Sequence, residues 1–382
     1  MRVWIAILIA LCVSGTPTQP TDASGHWEGR IDIPGMGLVV RVDLTHDADK
    51  WSGTIDIPQQ GARGLRLSSI VIEGADISFS IRGLPGSPTF AGKLDAGRIS
   101  GTFTQRGMKL PFALGREKVA ARVRPQDPKP PLPYRQENVT FSSGDATLAG
   151  TLSIPPGRGP FPAAVLISGS GPQNRDEEVM DHRPFLVLAD RLTRGGIAVL
   201  RFDDRGVGES TGKFEGCTTQ DFAHDAQRAV ELLKTRSEVR PDRIGLIGHS
   251  EGGVIAPMVA AESKDVAFVV MLAGTGVPGD EVLVRQLELI LRAQRVPEAL
   301  IADQMALQEE TLRAAKSRDW DRMRDALRRR AIAEQRLSSA GGPATPPGDL
   351  DDEIDAGAKK LGGEWFQFFL TCDPRHALHK VS

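Results

Sequence analysis

The sharpest chemistry in the chain lies in one run, Gly245-Leu246-Ile247-Gly248-His249-Ser250-Glu251-Gly252-Gly253. An apolar strand runs straight into Gly-x-Ser-x-Gly, and a helical stretch over 254–261 follows at once. This is the pattern of a nucleophile elbow, in which a serine stands on a tight strand-to-helix turn. Gly248 and Gly252 have a steric reason to lack side chains, because neighbouring backbone crowds such a turn. Ser250 is then exposed at a helix N-terminus, whose amides favour developing negative charge. His249 is adjacent in sequence, but its side chain is expected to point away from Ser250 across the turn.

A serine that attacks a carbonyl needs two backbone N–H groups to hold the oxyanion. In this arrangement one comes from the residue after the nucleophile, Glu251, and the other from the loop after an earlier strand. That loop is Ser168-Gly169-Ser170-Gly171-Pro172, directly after an apolar strand ending at Ile167. Ser170 is the expected donor, with Gly171 second. A phosphate-cradling loop is the competing reading, but the Lys-Ser/Thr ending of a P-loop is lacking.

Two further polar runs invite chemistry. Asp203-Asp204-Arg205-Gly206-Val207-Gly208-Glu209-Ser210 resembles an acid cluster for a metal. It is read instead as a glycine-rich turn pinned by Asp–Arg pairing, so no metal is expected there. Asp181-His182 either contacts substrate, with His182 as the binding residue, or caps the helix that begins near Pro184.

Three blocks carry a family resemblance: SGSGPQNRDE at 168–177, PFLVLADRLTRGGIAVLRFDDRGVGESTG at 184–212, and IGLIGHSEGG at 244–253. The chain from 139 to about 378 resembles the bacterial α/β-hydrolase esterases of the EstD type, near the serine-aminopeptidase-like hydrolases. The resemblance implies hydrolysis of a small-molecule carboxylic ester without a cofactor. The sequence departs from the family at its end. Triads of this fold run serine, acid, histidine, with the last two after strands beyond the cap. Only TCDPRHALHKVS remains after the cap, and His376 and His379 lie before the strand that would position a base. The acid and histidine are therefore expected to be absent and the sequence truncated at its C-terminal end. The strand over 267–272 would then be left as an apolar edge.

The elements that must position these residues alternate. Strand-like runs at 163–167, 197–202, 244–247 and 267–272 are separated by helical stretches at 185–193 and 222–234. Buried apolar strands alternating with helices specify a parallel sheet covered on both faces. A hairpin around Gly144-Asp145 precedes them. From 281 to about 335 the pattern is helical and charged, a Gly/Pro-rich break covers 338–352, and a last helix is expected over 353–370. These helices interrupt the alternation and read as a cap at about 278–370.

Residues 26–118 follow a different grammar. Leu38, Val40, Val42 and Leu44 share one face of a period-two run, as do Ile77, Phe79 and Ile81, with turn signals between. Short strands with frequent turns specify a small antiparallel barrel or sandwich. WEGRIDIP at 27–34 echoes WSGTIDIP at 51–58 and suggests a repeated hairpin, with Trp27 and Trp51 as core plugs. PQDPKPPLP at 125–133 is a stiff extended linker, set within a boundary at 119–138.

Composition is ordinary for a globular protein: 382 residues, 40% hydrophobic, 25% charged. A net charge of −2 gives no support to a nucleic-acid partner. Three cysteines are too few for a disulfide framework, and Cys217 and Cys372 are expected unpaired. A basic start followed by VWIAILIALCV at 3–13 has the length of a signal-peptide core and falls short of the roughly 20 residues of a spanning helix. Residues 1–15 are thus expected to direct export to the periplasm or medium, leaving no stable membrane span after cleavage, with an uncleaved anchor as the alternative. The expected fold is an α/β-hydrolase fold, incomplete at its C-terminus, with a helical cap and a small all-β domain before it. The expected function is acyl transfer on Ser250. A peptidase acting on short peptides and an inert binding protein are the alternatives, the second because acid and histidine are missing.

Overall fold

The structure is a computed structural model that describes residues 22–381 apart from Asp49, Gly61, Gly83, 85–87, 106–107, 121–123 and 339–346. The expected signal segment lies outside these residues.

The N-terminal strands close on themselves. They are β1 (Gly25–Ile33), β2 (Met36–Asp47), β3 (Lys50–Ile57), β4 (Ala62–Glu73), β5 (Asp76–Ile81), β6 (Thr89–Asp95), β7 (Arg98–Gln105) and β8 (Met108–Gly115). Each pairs antiparallel with the next, and β8 pairs back onto β1, so the sheet is a barrel and not a sandwich. Closure removes the exposed edges that a small antiparallel sheet would otherwise carry. Both alternating sets point inward, with Leu38, Val40, Val42 and Leu44 buried together with Ile77, Phe79 and Ile81. Phe79, Phe90, Phe103 and Phe112 meet ring to ring in the interior, which is filled by side chains. Trp27 is fully buried and donates from its indole to the Ala23 carbonyl at 2.8 Å. The other expected plug, Trp51, is only half-buried and stacks on His46. The echoed segments are β1 and β3, which flank β2, and their Ile31 and Ile55 are the equivalent inward residues.

The second unit begins with the hairpin β9 (Arg135–Ser143) and β10 (Ala146–Ile154), turning at Gly144 with φ +59. Then come β11 (Phe161–Ile167), α1 (Pro184–Arg194), β12 (Ala198–Phe202), α2 (Thr219–Lys234), β13 (Val239–His249), α3 (Gly252–Glu262) and β14 (Phe268–Leu272). The sheet order is β14-β13-β11-β12-β10-β9, parallel from β14 to β12 and antiparallel through β10 and β9. Alternation along β11 divides the core: Ala163, Val165 and Ile167 pack with α2 and α3, while Ala164 and Leu166 pack with α1. Pro184 opens α1, where its missing N–H costs nothing. Asp221 closes a capping box at the start of α2, accepting from the Thr218 N–H at 2.8 Å.

Beyond β14 the backbone is helical: α4 (Gly279–Ala293), α5 (Glu298–Lys316), α6 (Trp320–Ser338), α7 (Pro347–Gly362), α8 (Glu364–Thr371) and α9 (Arg375–Leu378). The single helix expected over 353–370 is two, because the chain breaks at Gly363 and α8 starts anew. Leu312, Ala315, Met323, Phe366 and Leu370 give these helices a core of their own. Among the described residues β14 is an outer strand, and Phe268, Val270 and Leu272 on it are 38–39% exposed. No helix among the described residues is long and apolar enough to cross a membrane.

Candidate active site

Ser250 sits where the sequence places it, on the turn from β13 to α3. Its backbone is left-handed, φ +54, and its N–H donates to the Leu272 carbonyl at 2.9 Å. A serine held in this conformation costs about 1–3 kcal/mol and is maintained only by its surroundings. The glycines explain how the turn closes. A Cβ on Gly248 would lie 1.8 Å from the Gly252 carbonyl oxygen, and one on Gly252 would lie 2.2 Å from that of Ile167. No side chain fits at either position.

The loop after β11 lies directly against the nucleophile. A Cβ on Gly169 would meet the Ser250 Cβ at 3.1 Å and the His249 Nδ1 at 3.4 Å. Among the described residues the N–H groups of Ser170, Gly171 and Glu251 donate to no protein acceptor, so all three stay free to bind a ligand oxygen. Gly169 is different: its N–H donates to Glu177 Oε1 at 2.7 Å. His249 turns to the same carboxylate oxygen, also at 2.7 Å. Glu177 is buried and left-handed, φ +50. Sequence reasoning missed it, although it stands in the acidic run directly after the glycine loop.

Glu251 has a second role that its position in the motif does not reveal. Its buried carboxylate accepts from Thr219 Oγ1 and from Trp365 Nε1, each at 2.7 Å, and the Ser170 hydroxyl approaches it and favours its charged form. Burial raises its pKa above the usual carboxylate range, and these bonds pull it partly back. Beneath the loop lies a cavity of about 10 Å³, lined in part by Ser168, Gly169, Asp204, Asp225 and Glu251. That is room for about one water molecule. Burial pushes the Asp204 pKa up to about 7, against hydrogen bonds from the Gln173 N–H and Ser168 hydroxyl, and the Glu251 and Asp225 charges add to the rise.

The Asp203–Arg205 turn is pinned by ion pairs, but not within the run. Asp203 pairs with Arg175 at 2.6 Å, and Arg205 with Asp225 at 2.5 Å. The capping role expected of Asp181-His182 is not seen. The N-cap of α1 is Arg183, with no side-chain cap bond; Asp181 accepts from Gln59 of the barrel, and the His182 ring faces Gln126. No group of three or more His, Cys, Asp or Glu among the described residues is placed to hold a metal ion. Cys217 and Cys372 are free thiols. Among the described residues no histidine hydrogen-bonds to the Ser250 hydroxyl; α9, which carries His376, packs beside α3.

A mostly parallel sheet with helices on both faces, a serine elbow after strand β13 and a helical cap define an α/β-hydrolase-type fold. The sequence comparisons agree with this class. A family model described as serine aminopeptidase, S33, matches residues 183–340. The chain is 33% identical over 202 residues to esterase EstD of Thermotoga maritima, covering 53% of this chain and 47% of that one. It is 32% identical over 119 residues to the putative hydrolase YtaP of Bacillus subtilis, covering 27% and 40%. A solved esterase, Pf2001 of Pyrococcus furiosus, aligns at 21% identity and TM-score 0.36, covering 50% of this chain and 67% of that one. The sequence matches to EstD and to the family model keep the resemblance to EstD-type esterases, and the chain spans less than half the length of the curated relatives it matches.

Proposed function

We propose that the protein is a serine hydrolase of small carboxylic esters, acting through an acyl-enzyme on Ser250. The observation that carries this reading is the placement of Ser250 on a left-handed elbow against a loop whose Ser170 and Gly171 amides, with that of Glu251, have no protein acceptor. In the proposed reaction Ser250 Oγ attacks the ester carbonyl. The amides of Ser170 and Glu251 hold the oxyanion, with Gly171 as the second donor in the loop. The C–O bond to the alcohol breaks and the alcohol leaves with a proton. Water then attacks the acyl-serine, releasing the acid and restoring the hydroxyl. The likeness to esterase EstD supports an ester substrate. The basic start and the apolar run at 3–13 support export of the protein.

One observation favours a second reading, binding without turnover: no histidine among the described residues hydrogen-bonds to Ser250. Without a base a serine is an ordinary alcohol at neutral pH. Exposure of the protein to a short p-nitrophenyl ester and to a fluorophosphonate separates the two. Hydrolysis of the ester, and a single phosphonyl adduct mapped to Ser250 by peptide mass and absent from Ser250→Ala, support the hydrolase. An adduct elsewhere, or turnover unchanged in Ser250→Ala, removes Ser250 from the mechanism. An aminoacyl p-nitroanilide in the same assay tests the peptidase alternative.

A further inference from the structure

Three residues other than glycine hold left-handed backbone within one short stretch of the loop after β11: Glu177 at φ +50, Met180 at +54 and Asp181 at +56. Such backbone persists in L-residues only where the surroundings impose it. Here the surroundings are the barrel. Gln59, in the 3-10 turn Pro58–Gln60 between β3 and β4, is only 6% exposed. Its side-chain amide accepts from the Val39 N–H and donates to the Gly37 carbonyl at 3.3 Å, which ties it to β2. Its remaining N–H leaves the barrel and donates to Asp181 Oδ2 at 2.8 Å. The Gln59 carbonyl also accepts the Met180 N–H at 3.0 Å, and the Met180 side chain packs against the barrel core. Arg124, in the segment between β8 and β9, donates to the carbonyls of Met180 at 2.5 Å and Asp181 at 3.1 Å.

The other end of the same stretch reaches the nucleophile. Glu177 accepts from the Gly169 N–H and the His249 ring, and Gly169 lies against Ser250. A continuous set of bonds thus runs from the barrel wall to the loop that carries Ser170 and Gly171.

We propose that the N-terminal barrel is a clamp on this loop: Gln59, acting through Asp181 and Met180, holds Glu177 in the strained backbone that keeps Gly169–Gly171 against Ser250. Gln59 and Asp181 are positioning residues and touch no substrate. The inference rests on Ser250 as the nucleophile and assigns the barrel a task that needs no ligand of its own, in keeping with an interior filled by aromatic side chains.

The test uses the full-length protein and two readouts: hydrogen exchange at the Met180 and Gly169 amides, and the rate at which a fluorophosphonate labels Ser250. Asp181→Ala removes the loop-side acceptor and leaves both Gln59 bonds within the barrel. Asp181→Asn keeps an acceptor and tolerates left-handed backbone. Asp181→Ala should speed exchange at both amides and slow labelling, each about tenfold, since small displacements of catalytic groups are costly. Asp181→Asn should restore both, and Gln59→Ala should repeat the loss from the barrel side. A Ser250 labelled at the wild-type rate in Asp181→Ala and Gln59→Ala, with exchange unchanged, overturns the clamp. Exchange that responds to Asp181 while Ser250 is never labelled overturns the nucleophile and supports the clamp.

Discussion

The indole N–H of Trp365 donates to Glu251 Oε1 at 2.7 Å, joining helix α8 to the residue directly after the nucleophile. Thr219, at the start of α2, donates to the same oxygen, so one carboxylate ties the cap, the sheet-covering helix and the elbow together. The side chain that steadies this corner and the backbone N–H expected to hold the oxyanion belong to a single residue.

Trp365→Phe keeps an aromatic ring beside Phe369 while deleting the indole donor and part of the ring's volume. A hydrogen bond to a charged, buried group is worth about 1.5–3 kcal/mol. A loss of that order is expected in urea unfolding, with slower labelling of Ser250. Glu251→Gln, which retains one acceptor oxygen, should lose less than Glu251→Ala. Equal stability of Trp365→Phe and wild type would show that the bond does not hold the cap.

Asp204 should make stability pH-dependent in the direction opposite to most carboxylates. Its folded pKa is pushed up to about 7 from 3.8, so the folded protein binds the proton more tightly than the unfolded one. The stabilising contribution is full below the unfolded value and is lost as pH rises through the folded one. Each pH unit separating the folded and unfolded values is worth about 1.36 kcal/mol. Relative to Asp204→Asn, wild type should therefore lose on the order of 4 kcal/mol between about pH 4 and pH 8. Melting both proteins across that window checks the difference. Parallel curves would mean that Asp204 ionises as it does in the unfolded state.

β14 is the outer strand among the described residues, and in this 382-residue chain its exposed row Phe268, Val270 and Leu272 should drive self-association, since an apolar edge strand offers unpaired backbone to another molecule. Val270→Lys places a charge in the middle of that row and should shift the protein toward monomer in sedimentation velocity. A wild-type protein that stays monodisperse at every concentration would show that the edge is harmless.

Much of this molecule was legible locally. The serine elbow, the glycine loop after β11, the hairpin around Gly144 and the boundary between an all-β and an α/β unit all follow from short-range signals. Backbone geometry imposes period two on a half-buried strand and period 3.6 on a helix, so burial leaves its mark on neighbouring residues. The break between α7 and α8 was less legible, because helical periodicity continues across Gly362-Gly363 and only the pair of glycines marks it.

The sequence by itself determined which serine stands on the turn, which loop faces it and where one unit gives way to the next. The tertiary structure alone decided the choice of partners: Glu177 with His249 across 72 positions, Trp365 with Glu251 across 114, Gln59 with Asp181 across 122. The same holds for barrel over sandwich, and for Arg175 over Arg205 as the partner of Asp203. Carboxylates, amides and guanidinium groups carry no periodicity that names their partners. Their pairing depends on which buried groups the packed elements bring within about 3 Å, where an unmet polar group would be costly.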